Sequence, residues 1–432
     1  MISRGLNQLK TKTLNLRQNS LAKDSFWLLT SKGLSIFIQA AYFILVARTL
    51  GPSEYGVFVG IAALATMVNS FASWGSGQIL VKHVAVERSL LKYYWGNALI
   101  TIFCLGTLLT LLFTTVGPIF SGGNFPPLVI ALIFVADLIG FNISQVSNLA
   151  FITLGKAKIA AFKSIFLGMT KLLAAVALSL IITDANAVQW AYLYCFSTLL
   201  PALISIWMVN AWLDKPKPSF VRLKQEIVQG FYFSTSQSSD FINENIDKIM
   251  LASVASLQAT GLYGAGFRIV SVFKVPIISV AGATFPRFFQ HGAKGIRGSF
   301  ELTKKLMPLA IGYGVAAAIS MYLISPYIVN VIGAEYDGIQ VLLQLVAFLP
   351  LIMTFQIIGG DALTGANFQG YRTSVQIFAA GLNVILNIWL IPLYSWHGAA
   401  WATMASESVK ALGFFILIFY LLNKDPQATF RQ

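Results

Sequence analysis

Apolar runs of about twenty residues, separated by short polar or basic stretches, recur along the whole of this chain. A run of that length carries a helix across the ~30 Å hydrocarbon core of a bilayer. Inside that core only helices and closed barrels satisfy their own backbone hydrogen bonds. By this rule about twelve spans are expected, near 26–48, 55–74, 95–116, 127–154, 159–182, 187–210, 231–255, 262–283, 305–325, 338–360, 373–391 and 398–422. With 56% hydrophobic and 11% charged residues over 432 positions, and a mean hydropathy of +0.73, a soluble fold is excluded. The class expected is an all-α integral membrane protein.

The net charge of +14 would suggest nucleic acid in a soluble chain. Here the placement of the charge explains it better. Most of the 30 lysines and arginines fall in alternate loops, whereas Glu54, Asp184, Glu335 and Asp337 fall in the others. The positive-inside rule then puts both termini in the cytoplasm. The polar start Met1–Asp24 leads into an apolar run too long for a cleaved leader, so a retained first span is expected. Cys104 and Cys195 lie in apolar runs, and His83, His291 and His397 show no ligand spacing, so neither a disulfide framework nor a metal site is indicated. Two basic-apolar loops, Ile79–Lys92 and Arg287–Lys304, read as interfacial helices on an anionic leaflet, with partner docking as the alternative.

The chain also echoes itself. Leu50–Phe58 reads LGPSEYGVF and Leu257–Phe267 reads LQATGLYGAGF, about half a chain apart. Six helices per half means both halves enter the membrane in the same sense, related by a pseudo-two-fold along the membrane normal, with any site between them near mid-membrane. The expected plan is a cytoplasmic N-terminus (1–25), an N-lobe (26–210), a cytoplasmic linker (211–230), a C-lobe (231–422) and a cytoplasmic C-terminus (423–432).

One expected span breaks the apolar pattern. Phe231–Met250 reads FYFSTSQSSDFINENIDKIM, and Asp240, Glu244 and Asp247 share one helical face at i, i+4 and i+7. A wet stripe within a membrane must face protein or water. Asp137, Lys171, Lys274, Glu407 and Lys410 fall near mid-depth on other spans, with Lys32 in the inner third and Arg268 in the outer third. A charge at bilayer centre costs about 3 kcal/mol even on insertion scales, so this clustering points to a hydrated chamber. Blander readings stand beside it. Lys248 has Glu244 and Asp247 as near neighbours, Glu407 and Lys410 are three apart and could neutralise each other, Lys32 could snorkel to lipid phosphates, and Arg48 could anchor at the outer interface. Pro276 and Pro350 are candidate bend points. No Walker loop, catalytic constellation or large extramembrane loop is present, which favours transport driven by an ion gradient over enzymatic activity, with no cofactor expected.

Several motifs carry a resemblance: Arg48-Thr-Leu-Gly-Pro-Ser-Glu-Tyr-Gly56, Asn245-Ile-Asp-Lys-Ile-Met250, Gly261-Leu-Tyr-Gly264, Pro286, Leu382-Asn-Val-Ile-Leu-Asn387, Leu390-Ile-Pro-Leu-Tyr394 and Gly398-Ala-Ala-Trp-Ala-Thr403. Together they resemble the polysaccharide transporters of the multidrug/oligosaccharidyl-lipid/polysaccharide exporter superfamily, and they span nearly the whole chain. The pair Asn383 and Asn387 ahead of Pro392 is the most specific. The resemblance implies translocation of an undecaprenyl-diphosphate-linked oligosaccharide across a bacterial inner membrane by alternating access. It also implies a proton or sodium ion, membrane lipid, and a polysaccharide polymerase and chain-length regulator as partners, and no nucleic acid.

A lipid diphosphate needs cations along a low-dielectric route, for which Arg268, Lys32, Lys274 and Lys171 are the candidates. Gln237, Asn243 and Asn245 could hold glycan, and Asp240, Glu244, Asp247 and Asp137 could couple to ions. The alternatives are a cation-coupled multidrug exporter, which should lack unpaired lysines, and an integral-membrane polymerase, which should carry a large outer loop.

Overall fold

The structure is a computed structural model that describes the backbone of residues 2–424, with side chains from residue 27 on except those of 28–29, 120, 236–237, 239–240, 242–243 and 283. Among the described residues every regular element is helical: α1 (Ile2–Ser73), α2 (Ser76–Val84), α3 (Leu91–Phe120), α4 (Pro127–Phe134), α5 (Asn142–Thr153), α6 (Ala157–Ile181), α7 (Ala187–Trp212), α8 (Phe220–Val254), α9 (Leu257–Gly292), α10 (Gly295–Ile332), α11 (Ile339–Leu345), α12 (Leu349–Gly365) and α13 (Gln369–Lys424). A π-helical turn, Val135–Phe141, joins α4 to α5. Nine helices among the described residues are long and apolar enough to cross a membrane, and α8 is not one of them.

Two long helices are broken. Gly51 interrupts α1 at φ 69°, ψ 171°, and Ser395 interrupts α13 at φ 51°, ψ −133°. Left-handed backbone is the ordinary property of glycine, whereas a serine there is held by its surroundings. Neither of the prolines expected as bend points interrupts a helix. Pro276 lies inside the continuous α9, and Pro350 opens α12 in its first turn, where its missing N–H costs nothing.

The chain divides into two compact units, one built on residues up to Leu50 and Ile61–Asn245, the other on Gly51–Gly60 and the chain from Ile246 onward. The first unit has a core around Leu80, Val84, Trp95, Ile102, Ile143 and Phe151. The second has a core around Phe288, Leu302, Leu363, Phe414 and Ile418. Both leave large apolar side chains exposed on their helices, such as Leu111, Leu180, Trp207, Leu323, Ile385 and Ile416. Lipid is the solvent that suits such faces.

The two basic-apolar loops diverge. The first forms α2, which buries Ile79, Leu80 and Val84 while Lys82 is exposed and the His83 ring stacks on Tyr94 of the same core at 4.4 Å. The second forms no separate helix. Instead α9 and α10 run through it, and Phe288, Ile296 and Leu302 are buried, because those apolar side chains find a core to fill. Ahead of the polar span, residues 213–219 are held against α3 by Lys217 N–H to the Lys92 carbonyl (2.8 Å) and by reciprocal bonds between Asn97 and Ser219 (3.1 and 2.7 Å). The first turns of α8 then lie on α2. His83 Nε2 meets Glu226 Oε1 at 2.7 Å, and the Trp74 indole donates to the Ile227 carbonyl at 2.9 Å.

Candidate functional site

In the second unit the echoed motifs touch each other. A Cβ placed on Gly56 would lie 1.8 Å from the Leu257 carbonyl oxygen, and one on Gly261 would lie 1.9 Å from that of Pro52. The backbones cross with no side chain between them, which only glycine allows. Beside this crossing, Tyr336 packs edge-on against Tyr55, and burial holds its hydroxyl protonated far above the ordinary tyrosine range.

Below the crossing lies a chain of buried polar groups. Asp247 is 5% exposed and accepts the Tyr263 hydroxyl at 2.5 Å, and that hydroxyl also lies 3.0 Å from Thr403 Oγ1. On the same stretch of α13, Lys410 donates to Glu407 at 2.7 Å, and Gln356 from α12 donates to the Glu407 carbonyl at 2.7 Å. The neutralising reading of Glu407 and Lys410 is therefore the observed one. The asparagine pair is a helix clamp: Asn387 donates to Asn383 (2.9 Å), which donates to Ser406 across the Ser395 break (3.0 Å). One bond lies within a helix and the other joins it to the segment beyond the break, and such buried groups pair with each other because lipid offers no partner.

The first unit holds a second cluster. Tyr194 on α7 donates to Asp137 Oδ1 at 2.7 Å and receives Lys171 Nζ of α6 at 3.0 Å. The ammonium also sits 4.2 Å from the Tyr194 ring centroid. Asp137 occupies the π-helical turn, a feature that often marks functional positions. Two residues proposed for different roles, Lys171 and Asp137, thus share one tyrosine. Each unit builds an aspartate–tyrosine pair inside its apolar helices.

Other expected site residues are placed as follows. Lys32 and Arg268 are exposed on their helices, Lys274 is half-buried on α9, and Glu244 is exposed. The Asn245 amide donates to the Phe241 carbonyl of its own helix at 2.9 Å. The side chains of Gln237, Asp240 and Asn243 lie outside the described residues. The residues missed from sequence are Tyr194, Tyr263, Thr403 and Asp361. Asp361, one residue past an expected span, pairs with Arg372 at 3.6 Å. Only Tyr263 and Thr403 carried a signal, since both stand in resemblance motifs.

A family model described as "Polysaccharide biosynthesis protein" matches residues 21–291. The chain belongs to the polysaccharide biosynthesis protein family. This is the family that the motifs resemble. An Escherichia coli (strain K12) relative named "Putative O-antigen transporter" is 20% identical, with 95% of this chain and 99% of the relative covered. A Haloferax volcanii relative named "Probable low-salt glycan biosynthesis flippase Agl15" is 20% identical, covering 91% of this chain and 82% of its own length. Among solved structures, an inward-facing multidrug resistance MATE family transporter of the MOP superfamily superposes with a TM-score of 0.72 at 16% identity, over 90% of this chain and 96% of that one. The lipid II flippase MurJ, in an inward closed conformation, does so with a TM-score of 0.74 at 12% identity, over 92% and 87%. This polysaccharide biosynthesis family member is therefore a multi-pass membrane protein with the fold shared by those transporters.

Proposed function

We propose that this protein is a flippase that carries an undecaprenyl-diphosphate-linked oligosaccharide across a bacterial inner membrane by alternating access, coupled to a proton or sodium gradient. The observation that carries this reading is the family match over residues 21–291. The cargo class comes from relatives named for O-antigen transport and glycan flipping. In this reading the chain crosses the membrane twelve times, since the breaks at Gly51 and Ser395 each divide an apolar helix into two passes and α8 adds one more. Arg268, Lys32, Lys274 and Lys171 supply positive charge to the diphosphate, and Asn245, Gln237 and Asn243 supply hydrogen bonds to sugar. In a strain lacking the protein, undecaprenyl-diphosphate oligosaccharide should accumulate facing the cytoplasm. Normal turnover of that intermediate sinks the cargo assignment.

Two variants test the roles. Arg268→Ala should cut glycan export several-fold at normal protein level, and Arg268→Lys should retain part of it, because lysine supplies charge without the bidentate fork. Unchanged surface glycan in a Lys32→Ala, Arg268→Ala double variant removes both from the cargo route. Asp240 is the proposed coupling residue, with Glu244 and Asp247 on the same stripe. Proteoliposome flipping by Asp240→Asn should ignore an imposed gradient while downhill exchange persists. If Asp240→Asn still follows the gradient, coupling moves to Asp137.

A second reading, a cation-coupled multidrug exporter, is favoured by the similarity to MATE structures. It is separated from the first by whether the purified protein moves lipid-linked glycan or small organic cations.

A further inference from the structure

The first unit contains a cleft of about 360 Å³ between α5, α6 and α7 that belongs to neither aspartate–tyrosine cluster. Lys163 projects into it and is only 8% exposed. Its ammonium donates to Ser147 Oγ and faces the Phe151 ring at 5.2 Å. No carboxylate pairs with it among the described residues. Two further polar groups line the same cleft without a hydrogen-bond partner among the described residues: Ser144 Oγ, on a residue 3% exposed, and Asn148 Oδ1, on a residue 8% exposed. A buried cation without a counter-ion beside an unused hydroxyl and an unused carbonyl is costly. It is the arrangement expected where an anion with its own hydroxyl is missing.

The other unit supplies the contrast. There, Arg372 also follows a left-handed turn residue between two helices, Asn367, as Lys163 follows Gly155. Arg372 has Asp361 at 3.6 Å and Thr364 at 2.7 Å. Where the second unit provides an acid for its cation, the first provides serines and an asparagine. The rest of the cleft is apolar, with Phe162 and Phe166 substantially exposed at its side.

We propose that this cleft binds the phosphate of an anionic membrane lipid. Lys163 and Ser144 donate to the phosphate oxygens, Asn148 accepts from a headgroup hydroxyl, and an acyl chain lies along Phe162 and Phe166. The site would be occupied by a resident lipid whatever cargo the protein carries.

The test uses the full-length protein in an uncharged detergent, with phosphatidylglycerol, diacylglycerol and inorganic phosphate as separate probes, read by native mass spectrometry and thermal unfolding. Phosphatidylglycerol should bind the parent about tenfold more tightly than Lys163→Met, the loss expected for one charge-assisted hydrogen bond. It should also raise the melting temperature of the parent, and diacylglycerol should do neither. Ser144→Ala should fall between. Equal phosphatidylglycerol affinity in parent and Lys163→Met overturns the proposal. If Lys163→Met does not fold, the parent decides alone, and stabilisation by diacylglycerol equal to that by phosphatidylglycerol overturns it. Displacement of the lipid by inorganic phosphate at millimolar concentration would mark a free-phosphate site and overturn the lipid assignment.

Discussion

A Gly56→Val protein should be almost absent from the membrane, and Gly56→Ala should melt far below the parent. The added Cβ would meet the Leu257 carbonyl oxygen at 1.8 Å, and backbone cannot rotate aside as a side chain can. Overpacking ordinarily costs about 1–3 kcal/mol. Here the two helices must separate, so the upper end of that range or more is expected. That is a large part of a total near 5–15 kcal/mol. Gly261→Ala should do the same from the other side, through the Pro52 carbonyl at 1.9 Å. The two should not add, because one separation of the helices relieves both clashes. Gly282→Ala is the control, since nothing lies within 4 Å of its added methyl. Thermal unfolding in detergent compares the three. Similar melting temperatures for Gly56→Ala and Gly282→Ala would mean that the crossing is looser than described.

Tyr263→Phe should cost about 1.5–3 kcal/mol of stability, the value of a hydrogen bond to a charged group, and reduce glycan export by an order of magnitude or more. The hydroxyl is 2.5 Å from the Asp247 carboxylate, and its loss leaves a buried acid with one fewer donor. Asp247→Asn should cost less when combined with Tyr263→Phe than in the parent, with a coupling above about 1 kcal/mol. Thr403→Val, which removes the weaker 3.0 Å contact, should be milder. Parental stability and export in Tyr263→Phe would reduce the Asp247–Tyr263 pair to an incidental contact.

The asparagine motif shows how a sequence signal and its physical meaning can part. Asn383 and Asn387 stood out in sequence as the most specific family signature. In the structure they are a clamp joining the two halves of α13 through Ser406. Glu407 and Lys410, one of the ambiguous pairs, resolve as partners at 2.7 Å because three residues of helix put them on one face.

The sequence by itself determined the membrane class, the helical architecture and the family. Each of these rests on quantities that are local along the chain: the length of an apolar run and the order of short motifs. It also marked Leu50–Phe58 and Leu257–Phe267 as an echo, without showing that the two stretches touch. Only the tertiary structure decided which charges meet. It alone gave Asp137 and Lys171 the shared Tyr194, paired Asp247 with Tyr263, and left Lys163 without an acid among the described residues in the cleft of the first unit. The reason lies in the solvent. In water, an amphipathic stripe tells the inner face of a helix from the outer one. In a bilayer both faces are apolar, so an apolar run does not announce which side packs against a neighbour. Partners across helices then follow from how the helices pack, which no single stretch of this chain encodes.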